Sequence, residues 1–210
     1  MKLTVVGATG GIGSEIVRQA LAAGHEVTAV VRDPARLAAE GDRLKVFTSD
    51  LTGPEGLWPA LAGRDAVLSG LGARTRADAG ITTRLTRTLL TAMDSTDVLR
   101  LLVVSAAPVG PAPAEDTLLD RAARAVVSAV LKDVYADLRA MEAEVAASTT
   151  DWTVVRPPRL QDRPLTGAYR TVIGGFPSKG RFVGRADVAH AMLSLVQDGR
   201  ATKQGVGVAY

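Results

Sequence analysis

The stretch VVGATGGIGSEIVRQAL, residues 5–21, starts as an apolar strand, passes through Gly7, Gly10, Gly11 and Gly13, and leaves as a helix. Ile12, Ile16, Val17 and Leu21 fall on one face of that helix. Glycine at such a turn lets bare backbone approach an anion, and the helix behind it offers free N–H groups and the positive end of a dipole. Gly7 allows the tight exit from the strand, Gly10 a close approach to a pyrophosphate, and Gly13 close packing of helix on sheet. With Thr9, Gly11 and Ile12 these residues form the expected seat of a nucleotide. The spacing is Gly-x-x-Gly-x-x-Gly rather than Gly-x-Gly-x-x-Gly, so the reading rests on its place after the first strand. Glycines also mark ordinary strand–helix turns; the context favours the nucleotide.

Outward from the turn, short apolar runs alternate with helical patterns. Strands are predicted at Leu3–Val6, Glu26–Val31, Leu44–Thr48, Ala66–Ser69, Leu101–Ser105, Trp152–Arg156 and Val206–Ala209. Helices are predicted at Gly11–Ala23, Pro54–Leu61, Ala79–Asp94, within Leu118–Ala147, and at Arg185–Gln197, with Asp33 capping a short turn that Pro34 opens. Continuous apolar runs mark strands buried on both faces, and this alternation implies βαβ units around a parallel sheet. Residues 157–184 hold four prolines and five glycines and read as loops with a short strand near Tyr169–Ile173. Neither a repeat nor a linker divides the 210 residues, so one domain is expected.

Composition narrows the chemistry. There are 25 Lys and Arg against 22 Asp and Glu, with no basic block, which argues against a nucleic-acid partner. Cysteine is absent and only His25 and His190 exist, so thiolate chemistry, a Ser-His-Asp triad and a histidine metal site lack their parts. No metal is expected. No uncharged apolar run approaches the roughly 18 residues of a membrane span, and the first ten residues enter a strand without a signal-peptide core. A cytoplasmic location, away from membranes, is therefore expected; nothing in the chain specifies an oligomeric state.

The tip of the second strand chooses between NAD and NADP, because an acid there holds the ribose 2′-OH and an arginine meets a 2′-phosphate. The chain reads Val30-Val31-Arg32-Asp33-Pro34-Ala35-Arg36. Arg32 at the tip, with Arg36 one turn on, favours NADP(H), since a guanidinium pairs bidentately with phosphate. Asp33 is accounted for as the cap. Asp50-Leu51 after strand three can reach the adenine edge, and Gly70-Leu71-Gly72 after strand four again permits close backbone approach; plain turn chemistry is the alternative for both. Arg74, Arg76, Arg84 and Arg87 follow strand four, either facing phosphates or forming a solvated helix face.

The run Gly7-Ala8-Thr9-Gly10-Gly11-Ile12-Gly13, with LLVVSAAPVG, DWTVVRPPRL, PLTGAYR and GRADVAHAML further on, resembles the atypical short-chain dehydrogenases/reductases. It is similar to their NAD(P)H-binding branch of NmrA-like proteins and the biliverdin reductase B/flavin reductase type. The resemblance implies a Rossmann-like doubly wound α/β fold with an irregular, substrate-side carboxyl-terminal region that roofs the nicotinamide end, helped by residues 106–114. It also implies hydride transfer from NADPH to a small planar acceptor such as a flavin, a quinone or a linear tetrapyrrole. Ser105 matches the family's catalytic serine beside the nicotinamide, where its hydroxyl would polarise the acceptor or orient a water; the alternative is a strand-end serine capping local backbone. Pro157, Pro158 and Arg159 match the substrate-side segment, Arg159 being either a holder of an acidic acceptor or a solvated loop arginine.

Two departures stand beside it. The usual Tyr-x-x-x-Lys pair is here Tyr135 with Arg139, and counting back from Trp152 puts the tyrosine slot on Val134. Tyr135 is thus either a catalytic acid or a structural residue at the pocket edge. Arg159 stands where the flavin reductase type has histidine, and an arginine does not donate a proton near neutrality. The missing pair keeps two alternatives open: a non-catalytic NADP(H) sensor, and more remotely a nucleotide-sugar epimerase or dehydratase.

Overall fold

The structure, a computed structural model, describes residues 1–72, 78, 80–111 and 128–210. Its strands are β1 (Lys2–Val6), β2 (Glu26–Val31), β3 (Leu44–Thr48), β4 (Ala66–Ser69), β5 (Arg100–Val104), β6 (Asp151–Arg156), β7 (Arg159–Gln161), β8 (Arg170–Ile173), β9 (Phe182–Gly184) and β10 (Gln204–Ala209). The α-helices are α1 (Gly11–Ala22), α2 (Trp58–Leu61), α3 (Ile81–Asp94), α4 (Lys132–Ala147) and α5 (Arg185–Leu195). Eight strands form one sheet in the order β3-β2-β1-β4-β5-β6-β10-β8, parallel except at the β8 edge. This is the doubly wound order, with its reversal between β1 and β4.

The apolar strands behave as their composition requires. Val5, Val6, Ala66, Val67 and Leu68 are completely buried, and a core lies on each face. Ile16, Val17 and Ala20 of α1 and Val188 and Met192 of α5 fill one; Leu61 of α2, Leu89 and Met93 of α3 and Met141 and Val145 of α4 fill the other. Thr4, buried in β1, donates its hydroxyl to Ala60 O at 2.5 Å, so the second layer is hydrogen-bonded to the sheet as well as packed on it.

Most predicted elements hold to within a residue or two. The 54–61 segment is a 3-10 turn, Glu55–Leu57, followed by α2. In the 157–184 stretch the expected short strand is β8, which adds antiparallel to β10, and the sequence did not suggest β7 and β9, which pair in a small parallel sheet. Strands of three residues are too short to show a period, so only their pairing defines them. Arg74, Arg76 and the first part of the 118–147 helical prediction lie outside the described residues.

Candidate nucleotide site

The site begins where β1 ends. Gly7 takes φ +73°, and Gly10 N donates to Gly7 O at 2.9 Å to close the turn. A methyl group on Gly13 would lie 2.1 Å from Gly7 O, and one on Gly70 would lie 2.9 Å from Gly13 N. The ends of β1 and β4 and the first turn of α1 thus interlock backbone against backbone. Gly10 caps α1 without a side-chain hydrogen bond, and no acidic residue occupies the first turn. The leading N–H groups of α1 are left for an anion.

A cavity of about 550 Å³ runs along the carboxyl ends of the strands. Gly7, Thr9, Gly10, Gly11, Ile12, Arg32, Leu51, Gly70, Leu71, Gly72 and Ser105 all line it, so most of the expected seat converges. Gly13 does not, because its role is the interlock. At the β2 end, exposed Arg32 faces the cavity while Asp33 accepts from Ala35 N at 3.1 Å, which commits its carboxylate to the cap. Arg36 is exposed on the 3-10 turn and is not among the lining residues. Asp50 also stays out: its carboxylate accepts from Thr52 N and Oγ1, and the Thr52 hydroxyl, then the Thr52 amide, lowers its pKa. The wall is Leu51, buried and held at φ +61°, an uncommon backbone for leucine. Ser49 Oγ accepts from Leu51 N at 3.2 Å and lines the same end.

Beyond β4 and β5 the lining turns largely apolar, with Leu71, Ile81, Leu85, Val104, Val134, Leu138 and Leu160, beside Asp78 and Thr82, whose buried Oγ1 has no hydrogen-bond partner among the described residues. Ser105 lies there, buried, and its Oγ has no hydrogen-bond partner among the described residues, although its N–H is engaged by Val155 O at 2.8 Å. Val134, not Tyr135, faces the cavity. Tyr135 packs into the core beneath α3 and α4, where burial raises its phenol pKa, against what an acid catalyst needs. Arg139 is exposed. The same stretch of α4 has a structural use. Buried Asp137 accepts from Thr82 N, Thr83 N and Thr83 Oγ1, capping α3; burial raises its pKa, but these donors outweigh it and the net shift is downward.

The substrate-side segment meets the cavity at Leu160 alone among the described residues of 157–184. Pro157 is buried and its carbonyl accepts from Ala107 N, Pro158 is half-buried, and Arg159 is exposed on β7. The chain then turns away over α5. Asp187, buried, accepts from Thr166 N, Thr166 Oγ1, Gly167 N and Tyr210 Oη, and Tyr169 Oη lies 2.6 Å from His190 Nδ1. His25 sits beside the Met1 amine at 3.2 Å. Arg87 pairs with Glu144 on the surface, and exposed Arg84 is not among the lining residues. The residue sequence reasoning missed is Arg185, which lines the cavity across the glycine turn. Its signal was present: a cation at the first position of a helix opposes the dipole.

The bare backbone, the uncapped helix start and the orphaned Ser105 hydroxyl fit a dinucleotide laid from β2 to β5, a span of about 14 Å at three strand spacings. No helix among the described residues is long and apolar enough to cross a membrane.

Known proteins share the fold. A candidate NADH-flavin reductase from Streptococcus pneumoniae is 25% identical with a TM-score of 0.81, covering 100% of this chain and 99% of that one. A short-chain dehydrogenase/reductase from Veillonella parvula, solved in complex with NADP, is 18% identical with a TM-score of 0.81, covering 100% and 94%. The photosystem II assembly factor Ycf39 of Cyanophora paradoxa is 37% identical over 82 residues, which are 39% of this chain and 26% of that one. The chain thus spans about a quarter of the length of the curated relatives it matches. A sequence profile described as NAD(P)H-binding matches residues 7–199, from the first glycine of the turn to the loop beyond α5. The chain belongs to the NAD(P)H-binding family.

Proposed function

We propose that this chain is an NADPH-dependent oxidoreductase that passes hydride to a small planar acceptor such as a flavin or a quinone. The observation that carries the reading is one continuous cavity with two unlike ends: at β2 a guanidinium, with no carboxylate among the described lining residues of that end, and at β5 a largely apolar chamber in which the buried hydroxyls of Ser105 and Thr82 have no partner among the described residues. Arg32 would hold the 2′-phosphate, the glycine turn the pyrophosphate, and Ser105 Oγ the carboxamide or an acceptor carbonyl. A dihydronicotinamide held there would supply the hydride. The acceptor would gain that hydride's hydrogen and two electrons and take one proton from bulk solvent, leaving oxidised NADP⁺. Apolar walls from Leu71, Leu85, Val104 and Leu138 exclude competing water and suit a flat ring. No tyrosine–lysine acid is required, consistent with Tyr135 in the core.

The test is loss of the reduced nicotinamide absorbance with purified protein, NADPH and a panel of flavins and quinones. Acceptor-dependent oxidation above the protein-free rate is expected. A second reading, a sensor that binds NADP(H) and signals to a protein partner, is favoured by the missing acid and by the likeness to an assembly factor. Tight binding that discriminates NADP⁺ from NADPH, with no oxidation by any acceptor, would establish the sensor and overturn the reductase.

A further inference from the structure

Three of the turn's four glycines face backbone, but Gly11 faces a side chain. A methyl group there would stand 2.6 Å from Arg185 Cδ and 2.8 Å from its Nε. Arg185 opens α5, reaches over the turn and lines the cavity beside the leading N–H groups of α1. One arm of its guanidinium, Nη1, donates to Asp162 Oδ1 at 2.6 Å. The Asp162 side chain is 89% exposed. An ion pair with one partner so solvated is worth little and exchanges readily, while the planar fork has five N–H donors and matches phosphate geometry. The base of the side chain is not free to wander. Asp187, two residues on, holds the start of α5 through Thr166, Gly167 and Tyr210, and Arg100 donates to the carbonyls of Leu195 and Val196 at its other end.

We infer that Arg185 clamps the pyrophosphate of the bound dinucleotide from beside the start of α1, exchanging Asp162 for phosphate when the nucleotide binds. Arg32 and Arg185, both in the described lining of the cavity, then divide the cofactor. Arg32 reads the 2′-phosphate that only NADPH carries, and Arg185 reads the bridge that NADPH and NADH share. The inference rests on dinucleotide binding at the turn and not on the reductase reading, so binding measurements separate the two.

Dissociation constants for NADPH and NADH, taken by calorimetry on the wild type and on Arg185→Ala, Arg185→Lys and Asp162→Asn, test it. Arg185→Ala is expected to weaken both nucleotides by the same factor, roughly tenfold to a hundredfold for a lost charge-assisted contact. Arg185→Lys should recover part of that loss, because a point charge replaces a fork. Asp162→Asn should tighten both nucleotides a fewfold by removing the competing anion, the opposite sign from a merely structural pair. Circular dichroism melts without nucleotide report folding. Unchanged affinities in Arg185→Ala overturn the clamp whatever the melting temperature, as does weakening confined to NADPH. Asp162→Asn weakening binding as Arg185→Ala does also overturns it. A wild type that binds neither nucleotide removes the seat itself.

Discussion

The amino-terminal glycine turn and the carboxyl-terminal clasp around Asp187 are equally motif-like as sequence and opposite in how they treat polar groups. In the clasp, donors from Thr166, Gly167 and Tyr210 converge on one buried carboxylate. At the turn, α1 starts without a side-chain cap, and across the cavity the Ser105 hydroxyl has no partner among the described residues. A saturated network fixes shape, whereas buried groups left open call for a ligand. The segment Pro164–Tyr169, part of the family resemblance, therefore fastens the start of α5, from which Arg185 projects. The glycine turn keeps its backbone open for the proposed nucleotide.

The most damaging single change should be Gly13→Ala. Its methyl would meet Gly7 backbone, which no side-chain rotation relieves. A loss of about 3 kcal/mol or more is expected, lowering Tm by roughly 6–12 °C, together with loss of NADPH binding. A melt and titration like those of the wild type would break the interlock account.

Asp187→Asn should act on stability at a smaller scale. Losing a charged acceptor of several hydrogen bonds costs about 2 kcal/mol, or roughly 4–8 °C in Tm. Burial raises the Asp187 pKa, but the Tyr210, Gly167 and Thr166 donors outweigh it and the net shift is downward. A carboxyl lowered in the folded state stabilises fully above its unfolded value of about 3.9, and less as pH falls through the folded value. The Tm gap between wild type and variant should accordingly narrow on acidification from about pH 5 to pH 3. A gap independent of pH would show that the carboxylate charge is not what holds the clasp.

The smallest effect is expected from Tyr135→Phe. The phenol is off the cavity, so NADPH oxidation should stay within about twofold across the neutral range. A loss near the 10²–10⁴-fold of a general acid would return Tyr135 to the mechanism.

How far the sequence reached follows from where the determinants lie. β1, β2 and β4 were legible because each is a continuous apolar run, and Gly7 and Gly13 because strand and helix flank them within a dozen residues. Asp33 was correctly read as a cap because Pro34 follows it. Asp50 and Arg36 were placed near the cofactor by neighbourhood alone; neither lines the cavity, Asp50 bonding Thr52 and Arg36 standing exposed on the 3-10 turn. Leu51 reached the wall through a left-handed backbone that its residue type does not advertise. Arg185 lies far along the chain from Gly11, and only the packing of α5 on α1 brings them together.

The most direct test of an NADPH site is the ratio of dissociation constants for NADPH and NADH in the wild type and in Arg32→Glu. Tighter NADPH binding in the wild type is expected, with the variant losing roughly tenfold to a hundredfold for NADPH and little for NADH. Equal affinities in the wild type, or a variant that weakens both nucleotides alike, would contradict the assignment of Arg32 to the 2′-phosphate.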